Sequence, residues 1–317
     1  MNAQPPIKVL YIVGVGRSGS TMLGNILGQI DGFAYLGEMS VIWNRGLIEN
    51  RLCGCGEKFR DCPTWKAIFN EALGGMSEVN AEAMTRLRSK VFNPLNTLRL
   101  VRRPESFPDK AAGDGHAWLA EFGEATRAIY RAAQHVTGSR VLVDSSHNPL
   151  YAGLLLSLPE IDLRLVHLIR DPRAVVYSRQ RNKFDPGRGK AVRTSGPLVS
   201  GGGWIVWNAI TERLKARASR PSLRFRYEDF VTEPKRIVGE IAAFVDEPTA
   251  ALPFRSDHEA TIRPAHSVSG NPSRFDTGTI TLRADDEWRA HSTAVRNLLS
   301  TVLTWPLMLR YGYELFA

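Results

Sequence analysis

Long apolar runs are missing from this 317-residue sequence. The early run Ile7–Val15 is too short to cross a membrane and ends among glycines. The opening residues, Met1 to Pro6, lack the basic start and apolar stretch of a secretory leader. A soluble, cytoplasmic chain with no transmembrane segment is the expectation. Cysteine is scarce: there are three, all between Cys53 and Cys62. An odd count argues against a secreted disulfide framework. Structural zinc usually takes four ligands, so a Cys/Cys/Cys/His site would need a histidine from elsewhere in the chain. A local disulfide, a metal site and reduced, packed thiols all stay open. Internal repeats and clear linkers are also absent, and acidic residues are outnumbered.

The net charge is +9. This suits an acidic small molecule, and equally nucleic acid, but no basic helix with interleaved aromatics supports the latter. The positive charge is spread along the chain. One cluster holds Arg99, Arg102 and Arg103; a second holds Arg179, Arg181, Lys183, Arg188, Lys190 and Arg193.

One further absence is the most telling. Residues 9–25 read as a buried strand, a glycine loop and the start of a helix, an arrangement suited to an anion. Gly14 to Thr21 fits the spacing G-x-x-x-x-G-K-[ST], but Ser20 stands where the lysine belongs. The cation has moved forward to Arg17. Gly14, Gly16 and Gly19 let backbone N–H groups converge on an oxyanion, and Arg17 adds a planar fork of donors. Ser18, Ser20 and Thr21 supply hydroxyls. A kinase or GTPase uses the missing lysine together with magnesium.

The rest of the chain alternates strands and helices. Strands are expected at 7–14, 33–36, 140–143, 161–168 and 222–227. Helices are expected at 19–30, 64–73, 78–91, 115–136, 151–157, from Arg173, and at 204–218, 234–245 and 285–303. Residues 185–203, rich in glycine, read as a mobile loop, and 247–283 as irregular. The pattern implies an α/β fold, P-loop-like and three-layered, with a central, mostly parallel sheet and helices on both faces. One domain spanning 1–317, with a helical insertion at about 45–135, is the expectation. In such sheets ligands sit at the carboxyl ends of strands, which gathers Gly14–Thr21, Glu38, Asp144–His147 and Arg170 on one edge.

With these elements in order, the chain resembles sulfotransferases that use 3'-phosphoadenosine 5'-phosphosulfate (PAPS), chiefly the bacterial and the protein-tyrosine or carbohydrate type. Gly16-Arg-Ser-Gly-Ser-Thr-Met-Leu23 resembles the family's 5'-phosphosulfate loop. Leu165-Val-His-Leu-Ile-Arg-Asp-Pro-Arg-Ala-Val-Val-Tyr-Ser178 resembles its 3'-phosphate motif, in which Arg170 and Ser178 hold phosphate. Arg224-Phe-Arg-Tyr-Glu-Asp-Phe230 resembles its Tyr-Glu-Asp strand, with Tyr227 against the adenine. His266-Ser-Val-Ser-Gly-Asn-Pro-Ser-Arg-Phe275 resembles the late loop that covers the nucleotide, with Ser269, Gly270, Asn271 and Arg274. Cys53-Gly-Cys-Gly with Cys62-Pro-Thr-Trp65 also recurs in bacterial members.

The resemblance implies a donor, PAPS, a product, 3'-phosphoadenosine 5'-phosphate (PAP), a hydroxyl-bearing acceptor and no metal at the reacting centre. Gly16, Arg17, Ser18, Gly19, Ser20 and Thr21 would hold the 5' end, and Arg17 would neutralise the leaving phosphate. The general base is Glu38 or His147. Glu38 resembles the catalytic glutamate of the protein-tyrosine and glycan-type enzymes; His147 resembles the histidine of the cytosolic type. Many bacterial relatives carry lysine where His147 stands, which makes it alternatively a donor to the sulfonate. Asp144 is a hydrogen-bonding partner of the site or a structural turn acid. Asp171 is expected to cap the helix after Arg170, with Pro172 at its first position. The rival readings are a P-loop nucleotide kinase and a non-catalytic nucleotide-binding protein. Acceptor and oligomeric state have no signature.

Overall fold

The structure is a computed structural model that describes residues 5–102, 116–181, 184–187, 189–191, 194–216, 221–247 and 251–316. Its strands are β1 (Ile7–Gly14), β2 (Phe33–Gly37), β3 (Val141–His147), β4 (Ile161–Ile169), β5 (Phe184–Asp185), β6 (Lys190–Ala191), β7 (Leu223–Arg226), β8 (Glu259–Ile262) and β9 (Gly278–Thr281). Five of them form one sheet in the order β2-β3-β1-β4-β7, and each neighbouring pair runs parallel. The pairs β5–β6 and β8–β9 are small antiparallel hairpins.

The helices are α1 (Ser20–Leu27), α2 (Pro63–Leu73), α3 (Ala81–Val91), α4 (Pro94–Arg102), α5 (His116–Thr137) and α6 (Pro149–Leu156). They continue as α7 (Pro172–Gln180), α8 (Pro197–Lys215), α9 (Tyr227–Thr232), α10 (Pro234–Phe244), α11 (Glu287–His291) and α12 (Ala294–Arg310).

Successive side chains of a strand point to opposite faces, and β1 shows why this sheet needs two helical layers. Ile7, Val9, Tyr11 and Val13 enter a core with Trp65, Phe69, Phe122 and Tyr130 of the helices inserted between β2 and β3. Leu10 and Ile12 enter a second core with Leu23, Phe230, Ile237 and Ile241 on the other face. A strand covered on both sides reads as a continuous apolar run. The fold is therefore α/β with a central parallel sheet, as expected.

Four expectations need correction. Residues 185–203 are not one loop, because α8 begins at Pro197 and contains Gly201–Gly203. Glycine weakens an isolated helix, yet Gly201 lies against α12: a Cβ there would stand 2.8 Å from Leu303 Cδ2. Helix α4 has no counterpart in the sequence reading, and its Leu95 and Leu98 are exposed. Residues 247–283 are not irregular throughout, since β8 and β9 pair there. The helix expected at 285–303 is two helices, broken at Ser292 and restarted by Thr293, whose Oγ1 accepts from Arg296 N at 3.3 Å.

Arg103, Lys183, Arg188 and Arg193 lie outside the described residues, as does Gly115 at the expected start of α5. Among the described residues no helix is long and apolar enough to cross a membrane.

Candidate active site

The carboxyl ends of β1, β3 and β4 open onto one edge of the sheet. β1 leaves the sheet through Gly14, where φ is +152° and a Cβ would lie 2.4 Å from the Leu168 carbonyl oxygen. The loop then turns through two left-handed residues, Arg17 at φ +81° and Gly19 at φ +90°, before α1 begins at Ser20. Gly19 is pressed beneath the Tyr227 ring, which a Cβ would meet at 2.6 Å. A left-handed non-glycine residue costs on the order of 1–3 kcal/mol and concentrates at functional sites. Arg17 and His147, at φ +48°, are both of this kind, and both face the same cleft.

That cleft encloses about 500 Å³ and is lined by polar groups. Its floor is Gly16, Arg17, Gly19, Ser20 and Thr21; Arg170, Ser178, Arg179 and Tyr227 stand at one end. Burial, and then the neighbouring cations Arg179, Arg181 and Arg170, hold the Arg17 guanidinium below its ordinary pKa. Burial does the same to Arg179. Cations crowded against one another in a half-buried cleft favour an anion between them.

Arg170 is fixed in place. It donates from Nη1 to the Arg17 carbonyl oxygen at 3.2 Å and from Nη2 to the Asp285 carbonyl oxygen at 3.0 Å. It also pairs with the Asp285 carboxylate at 3.1 Å and lies 4.3 Å from the Tyr227 ring centroid. Its Nε is buried with no hydrogen-bond partner among the described residues, and so is the Ser18 hydroxyl. The expected cap at Asp171 is present: Oδ1 accepts from Arg173 N at 2.8 Å, with Pro172 at the first helical position.

Glu38 follows β2 at the opposite wall. Its Oε2 accepts from Arg45 Nη1 at 2.6 Å, and its Oε1 stands 4.0 Å from His147 Nδ1. His147 Nδ1 also lies 3.1 Å from the Ser145 carbonyl oxygen. A carbonyl only accepts, so Nδ1 carries the hydrogen and Nε2 is the bare nitrogen of the neutral ring. Nε2 faces the glycine loop: a Cβ on Gly16 would lie 3.6 Å from it. Asp144 is buried and behind the cleft. It accepts from Ser146 N at 2.7 Å, from Ser146 Oγ and from Tyr130, and burial lifts its carboxyl to about 6. It acts as the structural turn acid.

The segment after β8 closes the roof. Gly37, at φ +81°, lets the Val268 amide approach, and Val268 N donates to the Leu36 carbonyl oxygen at 2.9 Å. Asn271 N donates to Thr21 Oγ1 at 3.0 Å, tying the segment to the loop. Gly270 and Asn271 line the cleft. Ser269 and Arg274 are buried in the wall behind it: Ser269 Oγ accepts from Arg45 at 2.8 Å, and Arg274 donates to the Leu52 carbonyl oxygen at 2.8 Å. Ser18 is likewise buried beneath the loop.

Arg45 and Asp285 line the cleft without having been singled out from the sequence. Arg45 lies in the wide helical turn Ile42–Ile48, where Glu49 N bonds the Asn44 carbonyl oxygen five residues back. A tight turn at Met39–Val41 followed by the wide one, rather than a regular α-helix, brings Arg45 to Glu38 seven residues before it. Arg179 belongs to the basic cluster noted in the sequence.

The chain belongs to the sulfotransferase family: residues 10–251 match that family's model. It is similar to carbohydrate sulfotransferase 5 of Mus musculus, at 32% identity over 28% of this chain. The matched stretch spans about a quarter of that relative, 26% of its length. The sulfotransferase domain from the curacin biosynthetic pathway superposes with a TM-score of 0.54 at 16% identity, covering 98% of this chain and 99% of that one, which shows the shared fold. The sulfotransferase domain of the Synechococcus PCC 7002 olefin synthase aligns at TM-score 0.49 and 17% identity, over 99% and 98% of the two chains.

Proposed function

We propose that the cleft binds PAPS and transfers its sulfuryl group to a hydroxyl of an acceptor. The observation that carries this reading is the charge layout of the cleft. Arg17 stands on the glycine loop, Arg170 at the neighbouring strand end with Ser178 on the helix that follows, and Glu38 and His147 4.0 Å apart on the other side of the loop. A donor with a sulfonated 5'-phosphate and a separate 3'-phosphate needs two anion sites, and the orphaned Nε of Arg170, which lines the cleft, fits such a ligand.

In this reading Arg170 and Ser178 bind the 3'-phosphate, with Tyr227 beside the adenine. Arg17 and the hydroxyls of Ser20 and Thr21 bind the 5'-phosphosulfate, and Gly270 and Asn271 cover it. Glu38 Oε1 takes the proton of the acceptor hydroxyl as its oxygen attacks sulfur. The bond from sulfur to the 5'-phosphate oxygen breaks, and PAP leaves with its new charge beside Arg17. Arg45, held on Oε2, orients the carboxylate. His147 Nε2, when protonated, donates to the moving sulfonate. The mouse relative's name makes carbohydrate hydroxyls the first acceptors to test.

Thermal denaturation with nucleotides tests the donor. At a hundredfold excess over its Kd a ligand stabilises by about 2.7 kcal/mol. PAP without magnesium should therefore raise the melting temperature by several degrees, and more than ATP with magnesium does. Equal or greater stabilisation by ATP with magnesium would overturn the proposal in favour of a nucleotide kinase. Transfer of labelled sulfate from PAPS to a panel of hydroxyl acceptors then identifies the substrate.

A further inference from the structure

Sulfuryl transfer leaves one chemically capable cluster unused. Cys53, Cys55 and Cys62 meet His266, more than 200 residues away in the chain, and all four ligand atoms lie within 4.8 Å of one another. Cys55 Sγ stands 3.8 Å from Cys62 Sγ, and Cys62 Sγ stands 3.3 Å from His266 Nδ1. A disulfide requires about 2.05 Å between sulfurs. A tetrahedral zinc ion, with Zn–S of about 2.3 Å and Zn–N of about 2.0 Å, requires sulfur–sulfur edges of about 3.8 Å and sulfur–nitrogen edges of about 3.5 Å. The observed spacings match the second pattern.

The backbone is built for this meeting. Cys53 N donates to the Glu57 carbonyl oxygen at 2.7 Å and Gly56 N to that of Cys53 at 2.9 Å, closing a tight turn that presents two thiols. Gly56 is left-handed at φ +96°. Cys62 stands at the residue before α2, where Pro63 opens the helix and fixes the direction in which the chain leaves the cysteine turn. Gly54 N donates to the Ser267 carbonyl oxygen at 3.0 Å, and a Cβ on Gly54 would stand 2.4 Å from the Ala265 carbonyl oxygen. Only glycine allows the two segments to close so tightly, and this closure delivers His266. Cys53 and Cys62 are buried; Cys55 and His266 are half-buried.

We propose that Cys53, Cys55, Cys62 and His266 bind one zinc ion. With four protein ligands the site has no open position, so it is structural. The thiols release their protons to solvent as the metal binds. Four residues past His266 come Gly270 and Asn271, which roof the cleft, so the ion pins the root of that roof to the cysteine turn. The proposal stands independently of the donor and acceptor.

The full-length protein, purified without chelator, should contain about one zinc per chain by plasma mass spectrometry, released by a mercurial thiol reagent. Cobalt(II) added to zinc-free, reduced protein should give the strong visible bands and sulfur-to-metal charge transfer of a tetrahedral thiolate site. H266A and C62S should each lower zinc at least about tenfold, while H266C, which keeps four ligands, should retain it. Two outcomes overturn the proposal and need no variant to fold: wild-type protein holding less than about a tenth of an equivalent and taking up neither metal after reduction, or cobalt spectra without thiolate bands. Full zinc retention by folded H266A and C62S also overturns it.

Discussion

Replacing Arg170 by glutamine separates a phosphate contact from a loop support. The guanidinium is already immobilised by the Arg17 and Asp285 carbonyl oxygens and by the Asp285 carboxylate, so a bound phosphate gains its charge without ordering the side chain. A hydrogen bond to a charged group contributes about 1.5–3 kcal/mol, which is about 10- to 150-fold in Kd. R170Q should therefore bind PAP about 10- to 150-fold more weakly by calorimetry. Adenosine 5'-phosphate, which lacks the 3'-phosphate, should change by no more than about twofold. The fold should survive, because Asp285 keeps Arg181 at 2.6 Å and is not left as an unpaired carboxylate. The weakening of PAP should shrink as salt rises, since part of it is Coulombic. Equal loss for both nucleotides would refute the reasoning: Arg170 would then act only by supporting the loop at Arg17.

Other expectations rest on separate residues. E38Q should keep PAP affinity within about twofold but lower turnover about 10²- to 10⁴-fold, the range of a lost general base; turnover that survives in E38Q and disappears in H147Q would transfer the role to His147. Burial lifts Asp144 to about 6, above the value near 3.8 of an ordinary aspartate. The folded state thus binds the extra proton, so this stability is fully present below about pH 4 and lost as pH rises through about 6, by about 3 kcal/mol in all. Urea unfolding of wild type and D144N should show wild type losing that amount relative to D144N between pH 4 and 7, and a constant difference would contradict it. Gly270 sits at φ +147°, with a Cβ position 3.1 Å from Thr21 Oγ1. G270V should cost on the order of 1–3 kcal/mol locally, displace the roof and weaken PAP at least about tenfold by calorimetry; unchanged affinity would remove Gly270 and Asn271 from the site.

Much of this protein is written locally. Ile7–Gly14 is apolar without alternation because helices cover both faces of its strand, and that pattern is visible in the residues themselves. Gly14 and Gly19 mark the tight turn from β1 into α1 by spacing alone, because the turn needs glycines within a few residues of one another. Asp171-Pro172 marks the start of α7 in the same way. The order of strands and helices was sufficient for the parallel sheet, and the strand-end rule for the edge where the cleft opens.

Contacts between distant segments were not legible. Arg45 reaches Glu38 through a tight turn and then a wide one, two irregular turns that the residues themselves do not announce. Gly201 looks like part of a loop until Leu303 of another helix shows what it makes room for. Ser269 and Arg274 belong to the right segment yet face into its wall, a choice made by packing against Arg45 and the backbone at Leu52. The three cysteines lacked a fourth ligand in their own stretch, and the fold brought His266 to them across more than 200 residues. Local sequence determines backbone conformation and which side of an element is apolar. Which polar groups meet depends on how the elements close on one another, and that is a property of the packed chain.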